Sequence, residues 1–242
     1  MLLKEKIAIV TGANRGLGKA IARKLASEGA FVVMVGRNEE SIRQAAAELS
    51  GEGLAVEPYV ADVTDQEAVE MLASYVKEKH GKIDILVNNA GISKEIRLND
   101  ITMDIWDEII NVNLRSVVLV TKAVLPYMIA QDEGNIVNIA SAAALRGLPG
   151  SSAYAASKAG VVCLTQALGD EERVHHIRCN AVCPGPIDTE LFQKSERREF
   201  ILAAGGDVFT PETVADGVLY LASDMSKGMS SQVLTIRGFN RW

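Results

Sequence analysis

The feature that most constrains this chain is an alternation. Short runs rich in Val, Ile and other strand formers recur at residues 7–10, 31–35, 54–60, 83–87, 135–139, 177–182 and 232–236. Longer stretches with apolar residues at helical spacing lie between them, at 19–27, 39–49, 67–79, 104–128 and 154–168. Continuous apolar strands are buried on both faces, and parallel neighbours need a crossover between them. The order therefore predicts an α/β, doubly wound, seven-stranded and mostly parallel sheet with helices on both faces. At 242 residues the chain fits one such domain, spanning 1–242. Local signals agree: Gly29 follows the first helix, Asn38 is placed to cap the second, and Thr210-Pro211-Glu212 opens the last. Residues 184–207 break the rhythm with Gly185, Pro186, Gly205 and Gly206 where a direct strand-to-helix link is expected. Ligands of open sheets sit beyond the carboxyl ends of strands, so this excursion is a candidate substrate loop.

Composition narrows the partners. The hydrophobic fraction of 48% and charged fraction of 23% are those of an ordinary globular protein, not a disordered or membrane-spanning one. A net charge of −6 leaves no broad basic face for a nucleic acid, which makes a small molecule the expected partner. Residues 1–6 run directly into the 7–10 strand, too short an apolar stretch for a secretory leader, so a cytoplasmic location is expected. Of the three cysteines, Cys179 and Cys183 lie four residues apart on a predicted strand, roughly 13 Å, too far for a disulfide. Reduced, buried thiols are the expectation for all three, and no metal-ligand cluster is apparent.

The first strand ends in Thr11-Gly12-Ala13-Asn14-Arg15-Gly16-Leu17-Gly18, with a helix starting near the second glycine. Glycines let a backbone approach a pyrophosphate closely, and a helix N-terminus offers unpaired N–H groups to it, so this turn reads as a dinucleotide site. A unit that binds NAD places an acid at the end of its second strand; here stand Gly36 and Arg37. Arg37 and Arg15 together suit a 2′-phosphate, so NADP(H) is expected to be preferred over NAD(H).

Tyr154-Ala155-Ala156-Ser157-Lys158 starts a predicted helix, and the spacing stacks Tyr154 and Lys158 on one face. A free tyrosine ionises near pH ~10, and bringing that to neutrality takes roughly 4 kcal/mol. An adjacent ammonium and a cationic nicotinamide act in that direction. Asn88-Asn89-Ala90-Gly91 closes the fourth strand, Asn113 lies in the next helix and Ser141 closes the fifth strand, all toward the same edge.

With these motifs in this order the chain resembles the short-chain dehydrogenase/reductase family over nearly all its length. The carriers are Thr11-Gly12 through Gly18, Asp62, Asn88 through Gly91, Asn113, Ser141, Tyr154 with Lys158, and Pro184-Gly185. The resemblance implies a Rossmann-type fold and a catalytic set of Asn113, Ser141, Tyr154 and Lys158. Tyr154 would be the general acid/base, Ser141 would orient the reacting oxygen, Lys158 would hold the ribose and lower the tyrosine pKa, and Asn113 would support a water-mediated relay. The implied cofactor residues are Gly12, Asn14, Arg15, Gly16, Leu17, Gly18, Arg37, Asp62, Val63, Asn89, Ala90 and Gly91, then Tyr154, Lys158, Pro184, Gly185, Ile187 and Thr189. Asp62 would contact the adenine, and Ile187 and Thr189 the carboxamide. Members commonly assemble as tetramers around the helices bearing Asn113 and Tyr154, so a homotetramer or homodimer is expected.

The family often ends its last strand in Asp-Gly-Gly; this chain reads Arg237-Gly238-Phe239. Three functions remain in play. One is an NADP(H)-dependent oxidoreductase of small carbonyl compounds or secondary alcohols, with Ser93, Leu145, Leu148, Leu191 and Phe192 as candidate pocket residues. A second is a 3-oxoacyl-carrier-protein reductase, which the acidic stretches Gln131-Asp132-Glu133 and Asp170-Glu171-Glu172-Arg173 disfavour for an acidic carrier, with Arg197 and Arg198 as offsetting charges. A third, a dinucleotide sensor without turnover, has no use for the tyrosine.

Overall fold

The computed structural model describes residues 1–195, 198–203 and 206–238. Seven strands form one sheet: β1 (Ile7–Thr11), β2 (Phe31–Gly36), β3 (Val56–Val60), β4 (Ile85–Asn88), β5 (Gly134–Ile139), β6 (Ile177–Pro184) and β7 (Val233–Ile236). Their order is β3-β2-β1-β4-β5-β6-β7, and every neighbouring pair is parallel. The expected sheet is thus observed, with no antiparallel member. Central strands β1, β4 and β5 are buried almost throughout, as their unbroken apolar runs require. Edge strand β3 is half-exposed and tolerates Pro58, which has no N–H to give a further neighbour.

The helices are α1 (Gly16–Ser27), α2 (Glu39–Gly51), α3 (Gln66–His80), α4 (Met103–Ile110), α5 (Ser116–Gln131), α6 (Ser152–Glu171), the short α7 (Glu190–Gln193) and α8 (Arg198–Ala203), and α9 (Pro211–Ala222). Ile21 and Leu25 of α1, Ile42 and Leu49 of α2 and Val214 and Val218 of α9 pack with Val10, Val32 and Val87 on one face. Leu72 and Val76 of α3 and Val120, Val124 and Met128 of α5 pack with Ile9, Val33 and Ile136 on the other. The 103–131 stretch is long and apolar enough to cross a membrane, yet those three α5 side chains lie in this core. Asn38 caps α2 through Ser41 N, and Thr210 caps α9 through Thr213 N, as expected.

Most boundaries move by one to three residues, as where the helix expected at 154–168 spans Ser152–Glu171, and three differences have a local cause. The strand expected at 54–60 starts at Val56 because Leu54 N closes the end of α2 on Leu49 O, across Gly53 at φ +81°. The strand expected at 83–87 starts at Ile85 because Gln131 takes both backbone groups of Ile83. The helix expected at 104–128 is interrupted by a π-turn, Asn111–Arg115, between α4 and α5. Cysteines divide likewise: Cys179 and Cys183 are buried in β6, whereas Cys163 is exposed on α6, contrary to expectation, because it falls on that helix's outward face.

Strand order reverses between β1 and β4, and this opens a crevice at their carboxyl ends. A buried polar ladder fixes the elements beside it. Asn88 donates to Thr121 Oγ1 (3.1 Å) and to Asn138 Oδ1 (2.9 Å), and Asn138 donates to Thr165 Oγ1 (2.9 Å). One chain of amides thus ties α5, β4, β5 and α6 in register.

Candidate active site

The glycine turn is welded to the end of β4. Thr11 Oγ1 accepts from Asn89 N (2.9 Å) and Ala90 N (3.1 Å), and Asn89 Nδ2 donates to Thr11 O (2.9 Å) and Gly12 O (3.2 Å). A Cβ on Gly12 would stand 2.9 Å from Ala90 Cα, and one on Gly18 would fall on the Gly12 carbonyl and 2.5 Å from Asn89 Nδ2. Gly12 and Gly16 also hold φ of +64° and +52°, which glycine adopts at little cost. The first turn of α1 has no side-chain cap on its N–H groups, and Asn14 Nδ2 ties the turn to Ser41 at the start of α2 (3.2 Å). The result is an uncapped helix start with bare backbone around it, which fits a pyrophosphate. Leu17 packs against the core of one face and Val63 lies within that of the other.

Arg15 and Arg37 are both exposed. Arg15 is paired with Glu190 of α7, and Thr189 Cγ2 would lie 3.4 Å from a Cβ on Gly16. The segment after β6 therefore leans on the glycine turn. Asp62 accepts from Thr64 N (2.9 Å) and Thr64 Oγ1 (2.7 Å). Partial burial works against its charge, but these bonds and the field of Arg37 hold its carboxyl below the usual range.

Tyr154, Ser141, Lys158 and Asn113 meet at the ends of β4, β5 and β6. Ser141 follows β5, its Oγ accepting from Ala143 N (3.1 Å), and it hydrogen-bonds the Tyr154 phenol. Lys158 Nζ lies 6.0 Å from the Tyr154 ring centroid and donates to Ile139 O (2.8 Å). Asn113 sits in the π-turn and is fully buried. Its Oδ1 accepts from Ile92 N (2.8 Å), and its Nδ2 donates to Ile92 O (2.9 Å) and Ser157 Oγ (3.1 Å). Ser157 in turn donates to Tyr154 O (2.7 Å). The side-chain amide of Asn113 is therefore engaged as a brace between α6 and the loop after β4.

Burial decides the ionisation here. It pushes the Tyr154 phenol up, and the Ser141 hydrogen bond offsets this only in part. It brings the Lys158 ammonium down to about 8. The lowering expected from a neighbouring ammonium is not seen in the chain by itself, where burial and then Cys183 raise the phenol and Ser141 alone acts against them. Gly91 is closely packed at this point: a Cβ there would stand 3.2 Å from Asn113 Oδ1 and 3.4 Å from Lys158 Nζ, so a side chain would press on both.

Two participants carry no sequence signal of their own. Ser157 bridges Asn113 to α6 across 44 positions, a separation no local pattern reveals. Cys183, next to last in β6, has its sulfur bonded by Ser141 N–H and close to Lys158, and burial pushes its thiol up. Beyond β6, Gly185 N donates to Ile236 O (2.8 Å), and Ile187 forms an isolated bridge with Phe209. Leu145 and Leu191 are exposed on the rim, and Ser93, Leu148 and Phe192 are half-buried. Arg197, Gly205 and Phe239 lie outside the described residues, whereas Arg198 is half-buried at the start of α8.

Known proteins resemble both the sequence and this architecture. Residues 6–199 match the short chain dehydrogenase family. The 3-oxoacyl-[acyl-carrier-protein] reductase FabG of Thermotoga maritima is 41% identical over 242 residues, covering 98% of each chain. Its namesake in Chlamydia muridarum is 39% identical, again over 98% of each. The crystal structure of gox2181 superposes with a TM-score of 0.92 at 34% identity, covering 97% of this chain and 95% of that one. The chain belongs to the short-chain dehydrogenase/reductase family, and it is an oxidoreductase that acts on CH–OH groups with NAD(P).

Proposed function

We propose that this enzyme is NADP(H)-dependent and interconverts a small carbonyl compound and its secondary alcohol, with Tyr154 as general acid and base. The observation that carries the reading is the meeting of Tyr154, Ser141 and Lys158 at one strand edge, beside Gly91, where a side chain would press on Lys158 and Asn113. The bound dinucleotide supplies or accepts the hydride. Ser141, bonded to the phenol, holds the substrate oxygen against it. Tyr154 gives that oxygen its proton in reduction and recovers it in oxidation, and a phenol kept neutral by burial is suited to giving. Lys158, charged at neutral pH with its value near 8, stabilises the phenolate left behind and stands where a ribose would be held. Asn113 acts as a positioning residue through Ser157, while a water-mediated relay at Asn113 would pass its backbone, since its amide is engaged.

Gly12, Asn14, Arg15, Gly16, Leu17 and Gly18 hold the pyrophosphate side of the cofactor. Asp62, Val63 and Asn89 to Gly91 border the adenosine and ribose, and Pro184, Gly185, Ile187 and Thr189 the nicotinamide. NADPH preference rests on Arg15 and Arg37 with Gly36 in place of an acid. We take the chain as one catalytic unit, working in the cytoplasm as a homotetramer or homodimer through α5 and α6, with 184–207 as its substrate loop. The exposed Val118 on α5 supports that interface.

A screen of ketones, thioesters and polyols, read as reduced-cofactor oxidation or its reverse, tests the activity; no turnover with any of them overturns it. A second reading, reduction of a carrier-bound 3-oxoacyl group, is favoured by the names of the two FabG relatives. The acidic stretches that oppose it are partly offset: Asp132 pairs with His176 (3.0 Å), Glu133 with Lys6 (2.8 Å) and Asp170 with Arg173 (2.6 Å). Specificity constants for an acetoacetyl group on a small thiol and on acyl carrier protein separate the two readings. A strong carrier preference that weakens with added salt would put the second first.

A further inference from the structure

An open cleft of about 640 Å³ is lined by Leu145, Thr235, Ile236, Arg237 and Gly238. It adjoins the catalytic edge through covalent and hydrogen-bonded neighbours. Thr235 pairs with Cys183 in the β6–β7 register, the Cys183 sulfur is bonded by Ser141 N–H, and Leu145 lies four residues beyond Ser141. Ile236 O receives Gly185 N (2.8 Å), which fixes the strand end one residue before Arg237.

Four of the five lining residues are uncharged, and the fifth is an exposed arginine. No ion pair or hydrogen bond of the Arg237 side chain falls among the described residues. Arg15, Arg23, Arg43 and Arg173 each have a carboxylate partner. A guanidinium offers a planar fork of donors that matches carboxylate and phosphate oxygens two at a time. Leu145 gives the same cleft an apolar wall for the carbons between that group and the carbonyl.

Resting on the carbonyl-reductase reading above, we infer that Arg237 is a specificity-determining residue that receives an anionic group on the substrate. The preferred substrates are then carbonyl compounds ending in a carboxylate or a phosphate. The arginine makes the same contact before and during the reaction, so its effect falls on KM more than on kcat.

Matched pairs test this: 4-oxopentanoate against its methyl ester, and hydroxyacetone phosphate against hydroxyacetone, each with wild type, Arg237→Lys, Arg237→Ala and Arg237→Glu. Cofactor binding and circular dichroism check that each variant is folded. The expected wild-type result is a ratio of kcat/KM, charged over neutral, of about tenfold or more in at least one pair, the size of a charge-assisted hydrogen bond. That ratio should collapse toward one in Arg237→Ala, fall below one in Arg237→Glu and survive in part in Arg237→Lys. The pair with the larger ratio identifies carboxylate or phosphate. A wild-type ratio near one in both pairs, or one that Arg237→Ala leaves in place, overturns the inference while the reductase reading stands. No turnover of any of the four compounds by wild type also overturns the inference, and the wider screen then decides the reductase reading.

Discussion

At Tyr154 and Lys158 the same burial acts in opposite directions on two groups that must work together. The phenol is pushed up and the ammonium down, so near neutral pH the pair stands as a neutral acid beside a cation. Tyr154→Phe keeps the ring and removes the proton. Cofactor affinity measured by fluorescence titration should stay nearly level while turnover falls by about two orders of magnitude or more; near-normal turnover would remove Tyr154 from its role. Lys158 gives a pH prediction whose sign can be worked out. Between about 8 and its ordinary 10.5 the unfolded chain holds this proton and the folded chain does not, so its contribution to stability rises with pH across that window. Below about 8 a buried charge is carried at a cost. Lys158→Met should therefore raise the melting temperature of the cofactor-free protein at pH 7, by roughly 1–3 kcal/mol in stability, while abolishing activity. In wild type the reduction rate should hold its plateau below about pH 8 and decline above it, and a decline unmoved in Lys158→Arg would assign that limb to another group.

At the scale of elements, the glycine turn is the most tightly determined piece. Gly18→Ala places a methyl on the Gly12 carbonyl, a clash with backbone that has no rotamer to escape through. It should cost roughly 1–3 kcal/mol and weaken cofactor binding at least tenfold by titration. The cofactor switch is less clean than sequence suggests. Gly36→Asp with Arg37→Ile should reverse the order of NADPH and NADH affinities, but a Cβ at 36 meets Ile42 at 3.3 Å, so a small loss of stability should accompany it. Wild-type affinities already equal for the two would defeat the arginine argument. Much of this was legible beforehand: the glycine turn, the Tyr154–Lys158 pair and each strand announce themselves through short-range pattern. The π-turn at Asn111–Arg115 did not, because the apolar spacing on both sides of it reads as one helix. Nor did the bridge from Asn113 through Ser157 to Tyr154, which exists only once the π-turn and α6 are packed. The exposure of Cys163 escaped notice for a related reason, since composition says nothing about which way a helix turns.

Over the whole molecule, the parallel sheet brings residues from widely separated stretches to one edge, and the buried Asn88–Asn138–Thr165 ladder holds that edge in register. Asn138→Ala leaves Asn88 and Thr165 short of partners in the core, and it should lower stability by about 1–3 kcal/mol, measured by chemical unfolding, with a smaller loss in turnover. The pairing of Arg15 with Glu190 has a consequence of another kind. If Arg15 receives a 2′-phosphate and the segment after β6 borders the substrate, as proposed, the one is held by the other, and Thr189 rests on the same turn. Dinucleotide arriving first would part that bridge and free α7 to rearrange; substrate arriving first would find it closed. Addition should then be sequential with the dinucleotide leading, and product-inhibition patterns in which oxidised and reduced dinucleotide compete for the same enzyme form would record that order. In Glu190→Gln, where the bridge is weakened, the order should relax toward random.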